Sequence, residues 1–427
     1  MEICQTKPLL IGLLLGMALV PATQAADEPT PEAKPETTVD ASDPTKGFVT
    51  VKSGDNSLTL GAWGQVRAIV DDRDEFDNDT SGSGVGQADG ASAAILIPRL
   101  RFYLQGTVYK PWMRYKFEFE FGPFVTNATN NSTNSRLTDA YFEFAKFPAA
   151  TLRVGQMKVP FSLQGLTSDW KLELVDRSIA DFKFGVGRDM GLMLYGNAWE
   201  KKFGYQVGVW DGAGQNNLQE DQKLLYGARV WIDPLGEYKL FESANDDSSK
   251  HILHIGLAYR GGEVMRGTAT AGVFESPDNE TAIGFEAAWR WQSLYALGEY
   301  FTQTDAQSNP ASGPDVDAQG YNLQFGVMVV PLYHELAVRY AEVEPDKRVD
   351  DARQTEWRLA YSYYIKGHNL KLQTDIGQIG YGANFASLSS LALRNVAPAY
   401  DQTKRLVAEP GTALTDNQLR IQLTVVF

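Results

Sequence analysis

The sequence predicts an all-β fold, a 16-stranded antiparallel transmembrane β-barrel, and three observations carry it. Segments of about ten residues with alternating apolar and polar side chains recur along the chain, each the length a tilted membrane strand needs. Segment 417–427 places Leu419, Ile421, Leu423, Val425 and Phe427 on one face and Arg420, Gln422 and Thr424 on the other, because strand side chains alternate. One face suits lipid and the other water, and a final strand of this kind fits a sheet closed on its first strand, since an open edge does not persist in hydrocarbon. Third, Lys7 is followed by the apolar run 8–20 and by small residues up to Ala25, the pattern of a secretory signal peptide. That run is too short for a spanning helix of about 20 apolar residues.

Taken in order, residues 1–25 are expected to be removed as the signal, with cleavage after Ala25. Removal takes away Lys7 and Glu2 together, so the formal charge stays at −14, and it takes away Cys4, the only cysteine. Without thiols the mature chain forms no disulfide, covalent haem link or thiolate metal site, and no cofactor or metal is expected. Residues 26–47 are rich in proline and glutamate, which predicts a disordered periplasmic leader. The barrel is expected over 48–427. Strands are expected at 57–70, 99–109, 112–121, 137–146, 150–157, 189–198, 203–211 and 224–233. The second eight are expected at 251–260, 279–291, 293–303, 318–330, 333–343, 354–365, 368–380 and 417–427. Tight connections such as Lys110-Pro111, Trp291-Gln292 and Ile365-Lys366-Gly367 alternate with long ones, as periplasmic turns alternate with external loops. The long polar stretch 234–250 falls on the turn side and does not fit that rule.

Alternation also assigns faces. Arg114, Lys116, Glu118 and Glu120 share one parity, and Tyr115, Phe117, Phe119 and Phe121 the other. By the same parity Arg67, Arg99, Arg101, Arg153, Arg229, Arg339, Arg358 and Arg420 point inward. A barrel of sixteen strands is wide enough to hold water, whereas eight strands are filled by side chains. Tyr109, Trp112, Phe147, Trp199, Trp231, Trp291 and Tyr333 gather at segment ends, as interfacial aromatic belts require.

Three ordered blocks carry a family resemblance: Leu137-Thr138-Asp139-Ala140-Tyr141-Phe142-Glu143-Phe144, the block 152–162 that includes Gly155-Gln156-Met157-Lys158, and the block 187–196 that begins Gly187-Arg188-Asp189. They resemble the core pattern of the phosphate-selective porin O and P family. Residues 48–65 are similar to that family's first strand, so the similarity spans most of 48–427 and is strongest over 95–233. The resemblance implies a homotrimeric outer-membrane porin of sixteen strands, whose third external loop is an inward-folded constriction loop that narrows the barrel. Here that loop is 158–188. The expected partners are the lipid bilayer, small anionic solutes such as phosphate, and lipopolysaccharide, bridged by cations to the acidic first external loop, with no nucleic acid.

The loop carries Lys158, Lys171, Arg177, Lys183 and Arg188 against Asp169, Glu173, Asp176 and Asp181. Rings of basic side chains in a narrow pore favour anions, and arginine's planar fork suits phosphate. Folded inward, these five bases would face the pore-lining Arg67, Arg99, Arg101, Arg114, Arg153 and Arg229. The alternative is that Arg177 and Lys183 pair with Asp176 and Asp181, and that wall arginines pair with Glu118, Glu120, Asp139 and Glu143, leaving a weakly selective or cation-preferring pore. Asp71, Asp72, Asp74, Glu75, Asp77 and Asp79 crowd the first external loop; a calcium-loop opening there lacks its closing glutamate, with Ala88 in that place, and is expected to be solvated. Enzymatic classes find little support. A catalytic barrel needs a nucleophile beside a histidine, and His251, His254, His334 and His368 all fall near expected periplasmic ends, as interfacial or solvated residues. A plugged transporter needs about 22 strands. A structural barrel without a channel remains the other alternative.

Overall fold

In the computed structural model, the described residues are 36–38, 49–73, 92–122, 124–127, 130–132, 135–217, 224–245, 250–262, 279–306, 314–389, 392 and 411–427. The expected signal peptide, most of the leader and the acidic first external loop beyond Arg73, with its calcium-like motif, lie outside the described residues.

Strands form where the alternation runs. β1 (Asn56–Arg73), β2 (Ser92–Val108), β3 (Lys110–Glu120), β4 (Arg136–Phe147), β5 (Ala150–Lys158), β6 (Arg188–Ala198), β7 (Phe203–Trp210) and β8 (Leu225–Ile232) come first. β9 (Ile252–Gly262), β10 (Asn279–Trp291), β11 (Leu294–Ala306), β12 (Val316–Val330), β13 (His334–Glu344), β14 (Gln354–Lys366), β15 (Leu370–Tyr381) and β16 (Leu414–Val426) follow. Each pairs antiparallel with its neighbours, and β16 returns to β1 with Val426 opposite Trp63 and Asp416 opposite Arg73. The main chains of Ala62 and Phe427 exchange hydrogen bonds of 3.0 and 2.9 Å beside that seam. The result is the expected closed sixteen-stranded barrel. A short strand, Val49–Ser53, pairs with the start of β1 and with Glu36–Thr38, so the leader expected to lack a fold contributes three extended residues.

Faces follow the parity read from the sequence. Phe102, Phe142, Leu192, Leu257, Phe285, Leu323, Val338, Leu359, Ile376, Leu419 and Ile421 are exposed on the outside, whereas Arg67, Arg229, Glu286, Glu299, Gln324, Arg339, Arg358 and Asp375 are buried inside. Tyr109, Phe147, Trp199 and Tyr333 are exposed at the strand ends. The largest departure is β2, which starts at Ser92 instead of 99. Its register against β1 shifts between Gln65 and Arg67, opposite Arg99 and Leu96, so one extra residue bulges beside Pro98. Proline has no N–H for the ladder and fits a bulge. The bulge also flips parity: Ile95 and Ile97 are exposed before it and Phe102 after it. Strict alternation therefore breaks just where the expected strand began.

The awkward stretch after β8 is explained by contact with the long connection 159–187 between β5 and β6. The Glu242 N–H donates to the Lys171 carbonyl at 2.9 Å, and the Gln164 side chain donates to Glu242 Oε1 at 3.1 Å. This stretch is long and polar because it meets another polar segment.

Candidate functional site

The connection 159–187 is pinched at its base, where the Val159 N–H donates to the Gly187 carbonyl at 3.0 Å. It forms α1 (Leu163–Leu166), a 3-10 turn at Asp169–Lys171 and α2 (Ile179–Phe184). Ser162 Oγ accepts from the Gly165 N–H and Ser178 Oγ from the Asp181 N–H, capping the two helices. Helices this short are unstable alone, and the barrel wall holds them. The main-chain N–H groups of Leu163, Val175 and Ile179 donate to Glu299 on β11, Asp375 on β15 and Glu356 on β14 at 2.7, 3.3 and 3.1 Å. Arg339 on β13 donates to the Asp176 carbonyl at 2.8 Å, and Arg67 on β1 to that of Val175 at 3.1 Å. Phe161, Ile179 and Phe184 pack with Phe301, Ala341 and Val343, the Phe184 and Phe301 rings stacking at 5.3 Å. The segment thus touches inward-facing residues of β1 and β2 as well as of β11–β15.

Among the five loop bases, four have committed partners. Lys158 Nζ donates to the carbonyls of Gly165, Leu166 and Thr167 at 2.8, 3.1 and 3.1 Å. Arg177 pairs with Asp169, approaches Asp181 at 3.5 Å and donates to the carbonyls of Gln164 and Thr167 at 3.1 and 2.8 Å. Lys183 is buried and donates to the Ala392 carbonyl at 2.9 Å. Arg188 pairs with Asp139 at 2.6 Å and Glu118 at 3.5 Å. Lys171 has no hydrogen bond or ion pair from its ammonium among the described residues; it lies 4.7 Å from the Trp170 ring.

The wall arginines are paired as well. Arg67 and Arg99 hold Asp176 at 2.9 and 3.0 Å, and Arg99 and Arg101 reach Asp169 at 3.3 Å each. Arg101 also binds Glu120 and Glu118 at 2.6 and 3.2 Å. Arg114 and Arg153 share Glu143 at 3.3 and 2.6 Å, and Arg229 binds Glu286 at 2.5 Å. Asp176 therefore forms its ion pairs with the wall and not with the Arg177 guanidinium or Lys183, accepting from these two residues only the Arg177 main-chain N–H at 3.0 Å, because the segment crosses to β1 and β2 at that point. Burial would raise Asp169 and Asp176. The guanidiniums of Arg177, Arg99 and Arg101 hold Asp169 well below the usual carboxylate range, and those of Arg99 and Arg67 hold Asp176 down.

Between the segment, the stretch after β8 and the wall of β16 and β1–β7 an opening of about 330 Å³ remains. Five bases, Arg101, Lys116, Arg153, Lys158 and Arg188, and two acids, Glu118 and Asp139, line it, together with Trp63, Tyr103, Tyr141 and Trp170. Of the eleven expected site residues, four reach this opening. Arg67, Arg99, Arg177 and Lys183 anchor the segment, Arg229 joins a separate network, and the half-exposed Arg114 binds Glu143 outside the opening's lining. Lys171 lies beside the opening, where burial and the neighbouring Lys239 and Lys116 lower its pKa.

Two buried clusters centre on residues outside the expected site, and the first had no local signal in the sequence. Gln324 donates to Glu173 and Glu242 at 2.5 and 3.0 Å, Tyr364 donates to Glu335 at 2.5 Å, and the Glu173 carboxyl abuts Gly326 and Glu335. Burial and Glu335 hold Glu173 well above the usual carboxylate range. The other cluster corrects an expectation: His254 is not solvated but buried, with Nδ1 2.7 Å from Asp233 and Nε2 2.9 Å from Glu286. Its parity between Leu253 and Ile255 already pointed it inward. His251 and His334 do sit at the rim, against Trp291 and Tyr363.

A closed sixteen-stranded barrel with an apolar outside and a charged inside is the architecture of outer-membrane porins. The chain belongs to the phosphate-selective porin O and P family, whose sequence model matches residues 73–381. Family and fold are those of outer-membrane channels for small solutes, and they place the chain in the outer membrane of a Gram-negative bacterium. A relative, an uncharacterized protein of Aquifex aeolicus (strain VF5), is 23% identical over 266 residues, 57% of this chain; the chain spans 62% of that relative's length. Among solved structures, the anion-selective porin from Comamonas acidovorans superposes with a TM-score of 0.56 at 15% identity, covering 86% of this chain and 99% of that one. The trimer form of OmpT from Vibrio cholerae gives 0.53 at 12%, covering 87% and 99%. OmpF of Salmonella typhi, in complex with daunomycin, gives 0.53 at 11%, covering 88% and 100%. At these identities the likeness concerns the fold.

Proposed function

We propose that this chain is a passive channel for small hydrophilic solutes, that segment 159–187 narrows its lumen, and that anions pass more readily than cations. The observation that carries this reading is the lining of the opening, five bases against two acids, with the Lys171 ammonium beside it, which has no hydrogen bond or ion pair among the described residues. Fixed charge at a narrow, low-dielectric passage decides which ion partitions into it. The family description and the anion-selective neighbour support the same sign, and the trimeric neighbour supports a homotrimer. A weakly selective pore is the second reading, favoured by the carboxylate partners of Arg101, Arg153 and Arg188. The zero-current potential of purified protein in a planar bilayer across a potassium chloride gradient separates them. An anion-selective sign is expected; a potential near zero would favour the second reading, a cation-selective sign would refute the anion reading, and no conductance would leave a structural barrel.

A further inference from the structure

An inorganic phosphate stripped of water needs several convergent, uncommitted donors, and the bases lining the opening aim most of theirs elsewhere: Arg153 at Glu143, and Arg188 at Asp139 and Glu118. Lys158 has three N–H groups and three carbonyl acceptors around it. Arg101 directs its Nε and both terminal nitrogens at Glu120, Glu118 and Asp169. Lys116 is bound to Asp139 at 2.7 Å and Glu118 at 3.0 Å. Glu118 and Asp139 themselves line the passage and repel a multiply charged anion more strongly than a singly charged one.

Beside the opening stand the Lys171 ammonium, which has no hydrogen bond or ion pair among the described residues, and an aromatic patch next to it. Trp170 packs against Trp63, Tyr103 and Val426, contributed by β1, β2 and β16, and these four residues line the opening. The Lys171 ammonium sits over the Trp170 ring. A flat apolar ring gains from stacking on such a patch and a single negative charge from the adjacent ammonium.

We propose that the opening recognises singly charged organic anions carrying a flat apolar ring, aryl carboxylates, in preference to inorganic phosphate. This rests on the anion-channel reading above. The Trp63, Tyr103 and Trp170 patch receives the ring, and Lys171 receives the carboxylate.

The test is block of chloride current through the wild-type channel in a planar bilayer at pH 7 by added benzoate, acetate or inorganic phosphate, after the zero-current potential has been read. Benzoate is expected to halve the current at roughly one-tenth of the acetate concentration, the ring contact supplying the difference, and below the phosphate concentration too. Trp170→Ala should bring benzoate to the level of acetate, and Lys171→Gln should weaken block by both carboxylates. Equal block by benzoate and acetate, or phosphate as the tightest blocker, overturns the proposal. Because these comparisons use the wild type, a variant that fails to fold does not shelter it. A cation-selective potential refutes the anion reading and this proposal with it, and that result precedes any blocker, so the two failures are distinct.

Discussion

Asp139 is the acid whose removal tests the charge reading most directly, because it lines the opening and pairs with Lys116 at 2.7 Å and Arg188 at 2.6 Å. Asp139→Asn deletes one negative charge and keeps a carbonyl acceptor. Neither cation is stranded, since Glu118 remains 3.0 Å from Lys116 and 3.5 Å from Arg188. The structural cost is therefore nearer the roughly 1.5–3 kcal/mol of a charged hydrogen bond than the roughly 3–5 kcal/mol of an unpaired buried charge. An ion passing about 4–8 Å from a unit charge in water feels roughly 0.5–1 kcal/mol. The effect has opposite signs for anions and cations, so the permeability ratio moves by about twice that, and about 1.4 kcal/mol is tenfold. With a Debye length of about 10 Å at 0.1 M salt, the expected gain in anion over cation permeability is roughly three- to tenfold. The assay is the zero-current potential of the two proteins across the same gradient. Glu237→Gln serves as the control, because Glu237 is exposed, pairs with Lys201 at 3.0 Å and does not line the opening. An unchanged ratio for Asp139→Asn, or a move toward cations, would refute the claim that lining charge sets selectivity.

Lys171→Glu should shift the zero-current potential toward cations, whereas Arg177→Glu should instead loosen the segment, because a third carboxylate would face Asp169 and Asp181; losing that buried partner costs about 3–5 kcal/mol. Single-channel traces distinguish them: a changed reversal potential with steady conductance for the first, larger or noisier conductance for the second. Gly326→Ala places a methyl group on the Glu173 carboxyl and should detach this part of the segment at a cost of about 1–3 kcal/mol, read as increased protease cleavage between β5 and β6. Glu173 also makes stability depend on pH. Its folded pKa is raised, so its contribution is fully present below the ordinary value of about 4.3 and is lost as pH rises through the raised value. Heat-unfolding midpoints of the wild type should fall across that range, and Glu173→Gln should flatten the fall; identical slopes would exclude Glu173 as the titrating group.

Fifteen of the sixteen strands were legible to within three residues, because the signal that makes them, a period of two, is local. β2 escaped for a local reason as well: the bulge beside Pro98 reverses the parity, so Ile95 and Ile97 read as a continuation of the wrong face. His254 is the opposite case: its parity points it inward, and its place near a strand end does not expose it. The pairing of Arg153 with Glu143 was also within reach, since the tight turn at Pro148-Ala149 sets them opposite each other in the β4–β5 register. The partners of Asp176 and Lys183 were not. Arg67 and Asp176 stand 109 residues apart, and no alternation in either segment encodes the path by which the connection after β5 reaches β1. That difference bears on function. Parity tells which charges face water but not which of them are neutralised, so the inward arginines left an anion-favouring and a weakly selective pore both open. Arg67 and Arg99 instead fasten the segment to the wall, and the charge left to meet a solute depends on the few groups those pairings leave over, Lys171 above all.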